Sequence, residues 1–141
     1  MGSDGHINRG SKNSKWVTFG EEKRYYLRSK YEIKYAAYLE YLKTTENIKD
    51  WEYEPDTFWF ESIKRGVRSY KPDFKIIYYN DTILYVEVKG YWDSKSLTKI
   101  KRFKKYYPDK KILTVDSAFF SKHNEFLNSI IKKLTGIVYD S

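Results

Sequence analysis

The chain of 141 residues carries no cysteine, two histidines (His6 and His123) and a net charge of +8, from 27 Lys and Arg against 19 Asp and Glu. The length sets one domain with a modest core. The composition excludes a disulfide framework, a thiolate metal site and a thiol nucleophile, nearly excludes a histidine-rich zinc site, and favours a polyanionic partner, of which nucleic acid is the commonest.

Residues 1–18, rich in Gly, Ser, Asn and Lys, read as a flexible basic extension in which Lys12 and Lys15 form an electrostatic arm, and 19–141 as a single domain. From Phe19 to Thr45 the spacing of Leu27, Tyr31, Tyr35, Tyr38 and Leu42 at three- and four-residue steps predicts a helix, with Glu21 and Glu22 at its N-terminal dipole end. "WEYEP" and "TFWFE" read as short strands split by the turn signal Pro55-Asp56, and "IKRGVRSYKP" as a basic loop or hairpin tip. Phe74–Tyr79 and Ile83–Lys89 are strands joined by a tight "NDT" turn.

"SKSLTKIKRFKKYYP" predicts a helix ended by Pro108, with Leu97, Ile100, Phe103 and Tyr107 on its buried stripe. "KKILTV" is a further strand, and "SAFFSKHNEFLNSIIKKL" a last amphipathic helix with Ser117 as cap and Gly136 as stop. This order gives an α/β fold with a central mixed sheet flanked by helices, in which the strand after the crossover helix runs parallel to an earlier one. No apolar run approaches the roughly 20 residues that span a bilayer, and no secretory signal pattern opens the chain. An intracellular protein without a membrane partner is expected.

Side chains alternate faces along a strand, so Leu84, Val86 and Val88 point one way and Ile83, Tyr85, Glu87 and Lys89 the other. The turn folds the preceding strand back antiparallel, which brings Asp73 beside Glu87 and Lys89. Two adjacent carboxylates repel unless something neutralises them, and an oxygen-rich acidic site suits a hard divalent cation such as Mg2+. A neighbouring lysine fits a phosphodiester site, where it orients or helps deprotonate an attacking water. The competing reading is an ion pair on a solvated sheet face, the usual meaning of an E-x-K triplet alone.

"KPDF" followed by "YVEVKG" resembles the PD-(D/E)XK nuclease superfamily and, within it, the phage Holliday-junction resolvases of the T7 endonuclease I type. The segments "RSKYE", "WEYE", "YKPDF", "YVEVKGYWD" and "YYPDKKIL" stand in the same order there, covering roughly Arg28 to Asp116. The resemblance implies a restriction-endonuclease-like core, with Asp73 and Glu87 as metal ligands and Lys89 assisting the water. It implies further that Glu32 and Glu52 belong to the acidic site, and that the enzyme is an intertwined homodimer cutting two strands.

The chain departs from that pattern in its N-terminal extension, in the longer "FWFESIKRGVRSY" segment and in ending on a helix and "GIVYDS" rather than a basic tail. Those departures bear on junction selectivity more than on nuclease chemistry, since free-standing homing endonucleases are built on the same core.

Taken together these readings give a Mg2+-dependent DNA endonuclease, with Mn2+ able to substitute. Asp73, Glu87, the Val88 carbonyl and Glu32 would hold the metal, with Glu52 completing the acidic set. The competing role for Glu32 is a surface pair with Arg28, and for Glu52 ordinary strand patterning. Lys64, Arg65 and Arg68 before Asp73, and Lys95, Lys99, Arg102 and Lys105 on the helix after Lys89, are candidates for contacts to the DNA backbone. Gly66 would let its loop approach DNA closely.

No Gly-rich phosphate loop is present, so no nucleotide cofactor is expected. Branched DNA is the favoured substrate, and sequence-specific homing or restriction cleavage the alternative. A non-catalytic nucleic-acid-binding protein is the reading from another class.

Overall fold

In the computed structural model, which describes residues 14–140, the first element is a hairpin. Strands β1 (Lys15–Phe19) and β2 (Lys23–Leu27) pair antiparallel and bury Val17, Phe19 and Leu27. Gly20 turns the chain at φ +65°, a conformation that suits glycine. Two expectations are corrected here. Phe19–Leu27 is strand and turn rather than helix, and Lys15–Thr18 is strand rather than flexible extension. Residues 1–13, with Lys12, lie outside the described residues.

Helix α1 (Lys30–Thr44) starts where its cap dictates. Ser29 Oγ accepts the Glu32 N–H at 3.1 Å, and the Glu32 carboxylate accepts the Arg28 N–H at 2.9 Å. This Ser-x-x-Glu arrangement satisfies backbone donors that a helix start leaves open. Its inward face carries Ile33, Ala36, Ala37 and Leu39.

Strand β3 (Asp50–Tyr53) follows, then a small ribbon of β4 (Phe58–Trp59) and β5 (Ser69–Tyr70) that encloses the basic loop. Strands β6 (Phe74–Ile77) and β7 (Ile83–Val88) form the hairpin expected from the sequence. Helix α2 (Ser94–Tyr106) crosses over to β8 (Ile112–Val115), which lies parallel to β7. The central sheet is mixed, with order β3-β6-β7-β8. Helices α3 (Ser117–Lys122) and α4 (Asn124–Thr135) end the fold, Gly136 stopping α4 at φ 81°.

The sheet separates two apolar layers. On one face Trp51, Phe74, Ile76, Val86, Val88 and Val115 pack with α1, α4 and the first hairpin. On the other Tyr85 packs with Tyr70 and Phe60 of the ribbon segment and with Ile100 and Phe103 of α2. This is the alternation read from Ile83–Lys89, seen from both sides.

Smaller expectations change. Leu97 is 57% exposed and stands off the buried stripe of α2, which runs through Ser96, Ile100 and Phe103. The last helix is broken at His123, and Asp116 rather than Ser117 caps its first part, accepting the Ala118 N–H at 3.1 Å. Among the described residues, no helix is long and apolar enough to cross a membrane.

Candidate active site

The β6–β7 register pairs Phe74 with Val86, so one step further the strands place Asp73 opposite Glu87. Both carboxylates are buried. Asp73 Oδ2 accepts the Val88 N–H at 2.8 Å, while Glu87 Oε1 accepts the Tyr70 hydroxyl at 2.6 Å and Oε2 stands 3.3 Å from Lys89 Nζ. Asp73, Glu87 and Lys89 therefore meet as the sequence predicts. Tyr70 was not foreseen: it arrives on the two-residue strand β5, which nothing in its own sequence ties to Glu87.

Pro72 explains why the ladder ends here. The bond from Tyr78 N–H to the Thr82 carbonyl fixes the alternation, in which Ile76 with Leu84 and Phe74 with Val86 exchange bonds. The next donor to the Val88 carbonyl would be residue 72, and proline has no N–H. The Val88 N–H donates to the Asp73 side chain rather than to the ladder acceptor, the Pro72 carbonyl. The Val88 carbonyl is left without its ladder donor, beside the two carboxylates.

The electrostatics are those of an under-neutralised site. Burial, then the Glu87 charge, then that of Glu32, push the Asp73 carboxyl well above the ordinary carboxylate range, against the Val88 N–H and Lys89, which pull it down. Burial also raises Glu32, although the Arg28 N–H and the Tyr53 hydroxyl both donate to its Oε1 at 2.9 Å.

Glu32 thus serves as helix cap and as a charge felt by Asp73. Its surface pairing with the Arg28 guanidinium does not occur: that group donates to Glu54 at 2.8 Å and to the Tyr53 hydroxyl at 2.9 Å. The cap signature Ser29-Lys30-Tyr31-Glu32 was the signal in the sequence that gives Glu32 this place.

Glu52 is not brought to the pair. It lies opposite Lys75, 4.0 Å from its Nζ, and Lys75 also pairs with Asp56 at 3.3 Å. Among the described residues, no group of three or more His, Cys, Asp or Glu side chains is placed to hold a metal together. The expected ligand set thereby contracts to Asp73, Glu87 and the Val88 carbonyl. That set still fits Mg2+, which keeps several waters and needs only one or two protein carboxylates beside substrate oxygens.

The basic candidates divide. Arg68, Lys95 and Lys99 line one groove of about 390 Å³ with Trp59 and Ser69. Arg102 instead donates to the Val67 carbonyl and fixes the loop. Lys64, Arg65 and Lys105 are exposed and lie outside that groove.

A mixed α/β fold with paired buried carboxylates and an adjacent lysine at the end of its hairpin is the class that fold and site define. The chain belongs to the family described as a protein of unknown function, DUF1064, whose model matches residues 12–122 and so includes every residue of the site. No curated protein and no solved structure matches the chain.

Proposed function

We propose that the protein is a Mg2+-dependent DNA endonuclease with a restriction-endonuclease-like core of the PD-(D/E)XK type. The observation that carries this reading is the placement of Asp73 opposite Glu87 in a site with too little positive charge, beside a carbonyl whose ladder donor Pro72 removes. A structural ion pair has no use for that arrangement, since each carboxylate adds to the cost of burying the other.

Asp73, Glu87 and the Val88 carbonyl would hold the ion. Bound there, it would neutralise a backbone phosphate and acidify a water. Tyr70 fixes Glu87 by one oxygen, and the Val88 N–H fixes Asp73 in the same way, so both carboxylates are oriented before substrate arrives. Lys89 sits within reach of Glu87 Oε2 and, with a phosphodiester in the site, orients the attacking water and offsets charge building on the phosphate. Glu32 holds the Asp73 environment negative without being a ligand.

The surplus of cations on α2 and the loop before Asp73 supports DNA as the polyanion. The resemblance to the resolvases favours branched DNA and a homodimer that makes paired cuts; sequence-specific cleavage is the second reading.

The test is incubation with Mg2+ of a four-way junction, its matching linear duplex and long genomic DNA. Cutting confined to the junction is the expected result. Discrete fragments from the long DNA would move the assignment to a sequence-specific enzyme. Tight binding without cutting of any substrate, with or without Mg2+, would replace the enzyme by a binding protein.

A further inference from the structure

Trp59 is the large side chain that the catalytic reading leaves unused. It is 57% exposed on β4, with Phe58 half-buried against the α2 cluster and Trp59 turned to the groove that Arg68, Lys95 and Lys99 line. Trp16 of the first hairpin, as exposed as Trp59, has ring neighbours instead, Arg24 at 4.4 Å and Tyr26 at 5.6 Å. Among the described residues no ring or cation lies against Trp59.

Its backbone is nonetheless held firmly. The Trp59 carbonyl accepts the Tyr107 hydroxyl at 2.7 Å, Ser69 pairs across from it, and the next N–H, that of Phe60, donates to the Arg68 carbonyl at 2.8 Å. The three cations of the groove have no carboxylate partner among the described residues.

We infer that this groove binds a DNA strand carrying an unpaired nucleotide, whose base stacks on Trp59 while Arg68, Lys95 and Lys99 hold the flanking phosphates. The inference rests on the nucleic-acid reading above and names the form of substrate it takes. An intact duplex presents phosphates and base edges, and its base faces are already stacked on one another. Only an unpaired base at a branch, flap, gap or single strand offers a π face to an indole. The groove lies one residue along the chain from the site: Ser69, opposite Trp59, is followed by Tyr70, which faces the other side of the ribbon and whose hydroxyl holds Glu87.

Affinities are to be measured by fluorescence anisotropy in EDTA, where no strand is cut, for a labelled single-stranded oligonucleotide and for the matching duplex. Trp59→Ala is expected to weaken single-strand binding by about tenfold and to leave duplex binding unchanged. Trp59→Phe is expected to keep most of the single-strand affinity, which separates stacking from a loss of fold. Equal weakening on both DNAs, or none on either, overturns the inference.

Cleavage with Mg2+ of a four-way junction, the linear duplex and long genomic DNA, on the same preparations, keeps this inference apart from the nuclease reading. Trp59-dependent binding without cleavage leaves the groove standing and sinks the nuclease. Cleavage with single-strand binding indifferent to Trp59→Ala does the reverse, and absence of DNA binding sinks both.

Discussion

Two acidic clusters lie on the same face of the central sheet, a short step apart along β6 and β7, and their charge is met in opposite ways. Toward the turn, Lys75 stands between Asp56 at 3.3 Å and Glu52 at 4.0 Å, and the Tyr85 hydroxyl donates to Asp56 at 2.6 Å. Burial works to raise the Asp56 carboxyl, but the bonds from Tyr85 and Lys75 outweigh it and hold the group below its usual range. At the far end, among the described residues, Lys89 is the one cation paired with either carboxylate, and Asp73 is pushed up. Acidic residues at alternate strand positions thus serve two purposes. The first cluster is neutralised by its own neighbours; in the second, burial and the neighbouring carboxylates outweigh the groups that offset the Asp73 charge.

The difference is open to attack at several points. The largest effect is expected at Lys89. Lys89→Met should lower the rate of Mg2+-dependent cleavage by about 10²- to 10⁴-fold, the range for losing a group that handles the reacting water. It should leave in place the carboxylates proposed to bind the metal, so single-turnover rates and the Mg2+-induced thermal shift, read on one preparation, should separate.

Next in size is the metal's effect on stability. At a free Mg2+ concentration ten times its Kd the folded state gains about 1.4 kcal/mol, worth roughly 3–5 °C for a domain of this size. Calorimetry should show this rise for wild type and none for Asp73→Asn.

The same variant sharpens the comparison in EDTA, with a smaller effect of opposite sign. Folding raises the Asp73 pKa above the ordinary value of about 3.9. Ionising Asp73 therefore costs stability, a cost absent below about pH 4 that grows as the pH rises through the folded-state value. Asparagine keeps the acceptor for the Val88 N–H and drops the charge. Asp73→Asn should melt above wild type at pH 8 in EDTA, the gap closing as the pH falls toward 4. Lys75→Met in the neutralised cluster should behave oppositely and weakly, destabilising by about 1 kcal/mol or less, with cleavage unaffected.

Much of the site was legible because strand geometry is rigid. A period of two and a tight turn fixed Asp73, Glu87 and Lys89 on one face before any coordinates were needed, and the parallel β8 followed from its crossover helix. The first hairpin was lost to a coincidence of spacing. Leu27 closes β2 and Tyr31 opens α1, yet their four-residue step mimics one continuous helix; the Ser29 cap was the stronger signal.

Tyr70 could not be read, because strands of two residues leave no period and its contact with Glu87 depends on how the ribbon crosses the sheet. Glu52 shows the limit of alternation, which gives the face of a strand but not the distance along it: it shares the face of Glu87 and ends beside Lys75.

The most direct test compares Glu87→Gln with Glu52→Gln in Mg2+-dependent cleavage of one labelled DNA substrate that the wild type cuts. These two acids lie on the same sheet face, one in each cluster. The account predicts that Glu87→Gln falls to background while Glu52→Gln cuts at the wild-type rate. Undiminished cutting by a folded Glu87→Gln would contradict it.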